Sequence, residues 1–75
     1  MQRGILHLAM IGTSGIAATY AARIRKIPAL ALTWVHSRNI ERAKTFAAQY
    51  GIPHVTGNLD QILSDQRIHA VLIVT

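Results

Sequence analysis

The chain has 75 residues, 51% of them apolar, no cysteine and a formal net charge of +5. That composition argues for a small globular body and excludes a disulfide framework, a thiolate zinc site and a cysteine nucleophile. The eight Lys/Arg residues are scattered from Arg3 to Arg67 with no aromatic interleaving, so nucleic-acid binding is not expected, and no span approaches the ~18 apolar residues of a membrane helix.

Ile5–Ile11 is a near-continuous apolar run, as a parallel strand covered on both faces requires. Arg3 before it gives a faint likeness to a secretory leader, but the run is of minimal length and serves better as a strand, so a soluble, cytoplasmic chain is expected. Its one polar member, His7, reads as a half-buried structural histidine, because no second histidine stands at metal-ligand spacing. Gly15 to Ile27 reads as a helix, with Ile16, Tyr20, Ile24 and Ile27 on one face and Ala17 and Ala21 keeping part of it thin. Pro28 ends it.

Leu30–His36 is a second strand, and the single tryptophan, Trp34, is expected to pack in the core or at an edge. A second helix is predicted from Asn39, a good N-cap, to Tyr50, with Ile40, Ala43, Ala47, Tyr50 and Phe46 as its buried stripe. Gly51 and Pro53 stop it. His54–Thr56 is a short strand. Asn58 then caps a short helix, with Gln61 three residues on as in a capping box and Leu59, Ile62 and Leu63 as the apolar face. Ala70–Val74 is a last apolar strand.

The order β-α-β-α-β-α-β predicts an α/β fold with a parallel sheet, strand order 3-2-1-4, the first half of a doubly wound, Rossmann-type architecture. No linker, repeat or low-complexity segment interrupts it.

The stretch Gly12-Thr13-Ser14-Gly15-Ile16-Ala17 joins the first strand to the first helix. It partly matches the dinucleotide fingerprint G-x-G-x-x-G/A: Gly12 fills the first position and Ala17 the third, while Ser14 replaces the second glycine and Gly15 is added. The free N–H groups and positive dipole end of a helix start suit a pyrophosphate. A short-chain-dehydrogenase start needs glycines at i, i+4 and i+6. It is set aside because the glycine after Gly12 falls at i+3.

About 20 residues beyond the glycine turn, an NAD-binding chain usually places an acid on the ribose hydroxyls. Here the end of the second strand reads His36-Ser37-Arg38, without a carboxylate. Ser37 can donate a hydrogen bond to a 2′-phosphate, Arg38 can pair with it, and Arg42 lies one helical turn on. NADP is therefore favoured over NAD as the cofactor.

The segments I-G-T-S-G-I-A, S-R-N-I-E-R-A-K-T-F-A-A-Q-Y-G-I-P, L-D-Q-I-L-S-D and A-V-L-I-V-T together resemble the N-terminal domain of the glucose–fructose oxidoreductase/inositol dehydrogenase (Gfo/Idh/MocA) family over nearly the whole chain. The resemblance implies that Gly12–Ala17 hold the pyrophosphate, that Ser37 and Arg38 meet the adenosine ribose, and that Thr75 lies where the chain passes the nicotinamide half. It also implies a parent protein that moves a hydride between NADP(H) or NAD(H) and a hydroxyl- or carbonyl-bearing carbon of a sugar, cyclitol or similar small molecule. Residues 1–75 would be the N-terminal part of the dinucleotide-binding domain, without the substrate domain and the lysine and histidine that the family uses for proton transfer. No catalytic or metal-binding residue is therefore assigned in this sequence, and whether the chain by itself is an enzyme stays open. His69 stands where the family commonly has Asp. The alternative expectation is a non-catalytic nucleotide-binding module that self-associates through the exposed edge of its fourth strand.

Overall fold

The computed structural model describes residues 4–74. It contains β1 (Leu6–Ile11), α1 (Gly15–Ile24), β2 (Leu30–His36), α2 (Ile40–Tyr50), β3 (His54–Thr56), α3 (Leu59–Leu63) and β4 (Ile68–Ile73). The four strands form one sheet in the order β3-β2-β1-β4, and every neighbouring pair is parallel. The predicted element order and strand order are both present.

The core lies where α1 and α2 meet the sheet. Leu8, Met10 and Val35 from the strands join Ala17, Ala21 and Ile24 of α1 and Ala43, Phe46 and Ala47 of α2, closed by Ile52 and Val74. In α1 the buried stripe is therefore Ala17, Ala21 and Ile24, and not the predicted line through Ile16 and Tyr20, which are 58% and 47% exposed. Both lines satisfy a 3.6-residue period. The alanine line wins because it lets the helix axis approach the sheet, which the larger side chains would prevent. α1 also stops at Ile24, a turn before Pro28. The N–H of Lys26 donates to the carbonyl of Arg23 and that of Ile27 to the carbonyl of Ile24, i to i+3 bonds that tighten the exit.

α2 follows its sequence signals more closely, except that Ile40 of the predicted stripe is exposed. Asn39 caps it, its Oδ1 accepting the N–H groups of Glu41 at 3.1 Å and Arg42 at 3.2 Å. Gly51 closes it in the left-handed region at φ +70°. In α3 only Ile62 is buried, and Leu59 and Leu63 face solvent. The predicted capping box is also replaced. The Asn58 N–H donates to Thr56 Oγ1 at 2.9 Å, and the Gln61 side chain bonds the Thr56 hydroxyl instead of returning to the cap.

Two irregularities sit at successive steps of β1, between Leu8 and Ala9 toward β2 and between His7 and Leu8 toward β4. Thr33 is an extra residue in β2, and His69 is an extra residue in β4. His7, between them, satisfies both. Its Nδ1 hydrogen-bonds Thr33 Oγ1 at 2.8 Å, and its backbone N–H donates to His69 Nδ1 at 3.0 Å. The half-buried structural role expected of His7 has this physical basis.

Trp34 does more than pack. Its Nε1–H donates to Asp65 Oδ2 at 2.7 Å, its ring lies 4.9 Å from that of His54, and Arg67 grips the same carboxylate through Nε at 3.0 Å and Nη2 at 2.8 Å. Asp65 thus ties the turn before β4 to the middle of β2. The Arg67 guanidinium first, and the Trp34 indole second, hold its carboxyl well below the usual carboxylate range.

A carboxylate whose native value is depressed contributes stability that is complete above its unfolded value, about 3.9, and fades as the pH falls toward the native one. Asp65→Asn is expected to lower the urea midpoint at neutral pH and to flatten the loss of stability below about pH 4. Because the chain has one tryptophan, Trp34 fluorescence reads both effects. An unchanged midpoint would show that the turn holds without Asp65.

Candidate functional site

Chain order reverses at β1. β2 and β3 lie to one side of it, and β4 lies to the other. In an open parallel sheet, the crevice beyond the carboxyl ends of the strands at such a reversal is where a ligand fits. Here that crevice is bounded by the turn after β1, the turn after β2 and the end of β4.

Gly12 sets the first boundary. It adopts φ +118°, its N–H donates to the carbonyl of His36 at 2.9 Å, and the Val74 N–H donates to the carbonyl of Ile11 at 2.8 Å. The chain is thereby pinned between β2 and β4 as it leaves the sheet. A Cβ on Gly12 would lie 1.8 Å from the carbonyl oxygen of Val74, so only glycine passes. Gly15 has no such constraint: a Cβ there meets nothing within 4 Å.

Ser14, which stands in place of the fingerprint's second glycine, is the N-cap of α1. Its Oγ accepts the Ala17 N–H at 3.3 Å, and its carbonyl accepts that of Ala18 at 3.0 Å. The hydroxyl therefore folds back onto its own helix. The N–H groups of Gly15 and Ile16 have no hydrogen-bond partner among the described residues, so two donors at the positive end of α1 remain for an anion.

The second boundary is the turn from β2 into α2. Ser37 Oγ accepts the Asn39 N–H at 3.2 Å, which leaves the hydroxyl proton free to donate outward. The Glu41 and Arg42 amides of α2 are already committed to Asn39, and of its first turn only that of Ile40 is left. Anion binding on this side therefore falls mainly to side chains, and Arg38 and Arg42 are both exposed, with no ion-pair partner among the described residues.

Ser37, Arg38 and Arg42 meet the turn after β1 in one groove of about 470 Å³. Of the predicted site residues it brings together Gly12, Thr13, Ser14, Ser37, Arg38 and Arg42. Gly15 and Ile16 are exposed on the first turn of α1, outside the lining, and Ala17 is wholly buried against the sheet. Thr75 lies outside the described residues. The sequence reading missed Ile11, His36, Leu59 and Val74, which complete the walls. Strand register was the signal for two of them, since Ile11 and His36 are paired at the level ends of β1 and β2. A second hollow of about 430 Å³ shares Thr13 and Arg42 and runs along α2 past Phe46 and Gln49. The groove carries the hydroxyl residues Thr13, Ser14 and Ser37 and two guanidinium groups, and among the described residues no carboxylate lines it, so its chemistry fits a phosphate-bearing cofactor. Among the described residues, no group of three or more His, Cys, Asp or Glu could hold a metal ion.

The model of an oxidoreductase family with an NAD-binding Rossmann fold, Gfo/Idh/MocA, matches residues 6–75. The chain belongs to the Gfo/Idh/MocA family. Among solved structures it is similar to GenD2 from gentamicin A biosynthesis, in complex with NAD. The identity is 26% and the TM-score 0.88, over 100% of this chain and 23% of that one. It is also similar to KijD10, a 3-ketoreductase from Actinomadura kijaniata in complex with TDP-benzene and NADP, at 26% identity and TM-score 0.79, over 91% of this chain and 22% of that one. A third is a myo-inositol dehydrogenase from Corynebacterium glutamicum, at 25% identity and TM-score 0.85, over 95% of this chain and 21% of that one. The chain thus spans under a quarter of the length of each. No curated protein matches the sequence significantly. Family and fold agree with the sequence reading, and dinucleotide binding is the property of this Gfo/Idh/MocA domain. No helix among the described residues is long and apolar enough to cross a membrane.

The two glycines of the turn are expected to behave oppositely. Gly12→Ala combines a positive φ with a backbone collision and should cost at least about 2 kcal/mol, read as a fall in the denaturation midpoint. Gly15→Ala meets open space at a helix start and should change stability by no more than about 1 kcal/mol. Equal effects would contradict the geometry of the turn.

Proposed function

We propose that this domain binds NADP in preference to NAD and serves an oxidoreductase acting on a sugar, cyclitol or related hydroxyl- or carbonyl-bearing molecule. The observation that carries the cofactor preference is the wall of the groove beyond β2, where Ser37, Arg38 and Arg42 gather without a carboxylate. An acid at that position would hydrogen-bond ribose hydroxyls and repel a 2′-phosphate. A hydroxyl donor and two guanidinium groups do the reverse.

In this reading the diphosphate lies over Gly12–Ala17, held by the N–H groups of Gly15 and Ile16 and the dipole of α1. Ser37 and Arg38 orient the adenosine phosphate, and Arg42 adds charge from the first turn of α2. Thr75, next after Val74 in the sequence, is placed toward the nicotinamide half. The bound nicotinamide supplies the hydride chemistry, and the protein supplies position. The substrate class is proposed from the similar proteins, a 3-ketoreductase and a myo-inositol dehydrogenase. No catalytic residue is assigned within residues 1–75.

Titration with NADPH and NADH, followed by nicotinamide fluorescence, tests the preference. Arg38→Ala is expected to weaken NADPH about tenfold or more and NADH far less, as the loss of a hydrogen bond to a charged group implies. Equal weakening of both would remove the phosphate role of Arg38.

A second reading concerns assembly. β4 is an edge strand, its sequence Ile68–Ile73 holds no Lys or Pro, and Ile73 is 72% exposed. Self-association through that edge predicts a sedimentation coefficient that rises with concentration. A constant monomer value would count against it.

A further inference from the structure

The chain has four histidines, and three are occupied by the fold. His7 bonds Thr33, His69 accepts the His7 N–H, and the His54 ring packs on Trp34. His36 differs. It is half-buried at the carboxyl end of β2, and among the described residues neither ring nitrogen has a hydrogen-bond partner and no aromatic ring stacks on it. Its carbonyl is held by Gly12, so its backbone is fixed, and His36 lines the same groove as Ser37, Arg38 and Arg42.

The surroundings define what such an imidazole can do. Its register partners are Ile11 on β1 and Thr56 on β3, neither of which titrates. The turn after β2 contributes Arg38, α2 contributes Arg42, and α3 contributes Leu59. The acids of those helices, Glu41 and Asp60, do not line the groove, and Glu41 faces Lys44 at 3.6 Å. Among the described residues, therefore, no anion stands in the groove to claim an imidazolium. A ligand phosphate would be its counter-charge, and the protonated ring has two N–H donors to offer.

We propose that His36 is a specificity-determining residue whose imidazolium form adds a third positive charge toward the 2′-phosphate, so that the preference for NADP over NAD strengthens as the pH falls. This rests on the reading of the groove as an NADP site. Imidazole is the side-chain type whose charge can change near neutral pH, and guanidinium is not.

The test measures dissociation constants for NADPH and NADH at about pH 6 and about pH 8, which bracket that change. The 2′-phosphate itself gains a proton near pH 6, which works against the effect, so His36→Gln is the reference. One added charge in a groove of this size is expected to raise the NADPH-to-NADH affinity ratio, from the higher to the lower pH, at least about threefold relative to His36→Gln. The same pH slope in both proteins overturns the proposal, and so does an equal loss of both cofactors at both pH values, which would mark His36 as a contact to the shared part of the molecule. A variant-free measurement follows the His36 ring resonance by NMR. Its titration midpoint is expected to move up with NADPH more than with NADH, and equal movement overturns the proposal. If NADPH is not preferred at any pH and Arg38→Ala is without effect, the reading of the groove falls and this inference falls with it. If Arg38 matters and His36 does not, this inference falls alone.

Discussion

The architecture depends on one close approach, that of Gly12 to the carbonyl of Val74. β1 must end between two parallel neighbours and turn sharply into a helix above the sheet. The Gly12 N–H is taken by His36 on one side, and the Ile11 carbonyl accepts the Val74 N–H on the other. With both sides bonded, there is no space for a side chain on the residue that turns. The same tie that closes the sheet aims α1, and so its unpaired amides, over the crevice.

From that corner the division of labour in the groove follows. Two helices start beside it, and they spend their N-terminal donors differently. In α1 the Ser14 hydroxyl takes one amide and leaves those of Gly15 and Ile16. In α2 the Asn39 side chain takes two and leaves only that of Ile40, so on this side charge comes from Arg38 and Arg42. In the proposed reading, a cofactor with a diphosphate and a peripheral phosphate would meet main-chain donors at the first and side-chain cations at the second.

Much of this was legible in the sequence because it is local chemistry. Apolar runs between Gly, Pro and Asn punctuation marked the four strands and three helices, and the caps Asn39, Gly51 and Asn58 stand where their residue types said. Gly12, Ser37, Arg38 and Arg42 were readable from spacing and charge, and they share one groove. What was not legible depends on partners distant in sequence. The periodicity of α1 fits a line through Ile16 and Tyr20 as well as one through Ala17 and Ala21, and only the distance to the sheet decides. Gln61 left its expected cap because Thr56 reached Asn58 first. The grip of Asp65 on Trp34 spans 31 positions of sequence and leaves no pattern in it.

The paired irregularities beside His7 have a geometric consequence. Each neighbour of β1 carries one surplus residue at nearly the same height, Thr33 on one flank and His69 on the other, so the two offsets match. Beyond them β2, β1 and β4 run in step, and Ile11, His36 and Ile73 come level at the top of the sheet. A residue removed from one flank alone would drop that rim by about 3.3 Å, the rise of a single strand residue, and invert the facing of everything above it. The flatness of the platform under the crevice is thus fixed some four residues below it, by a histidine that never reaches the ligand side.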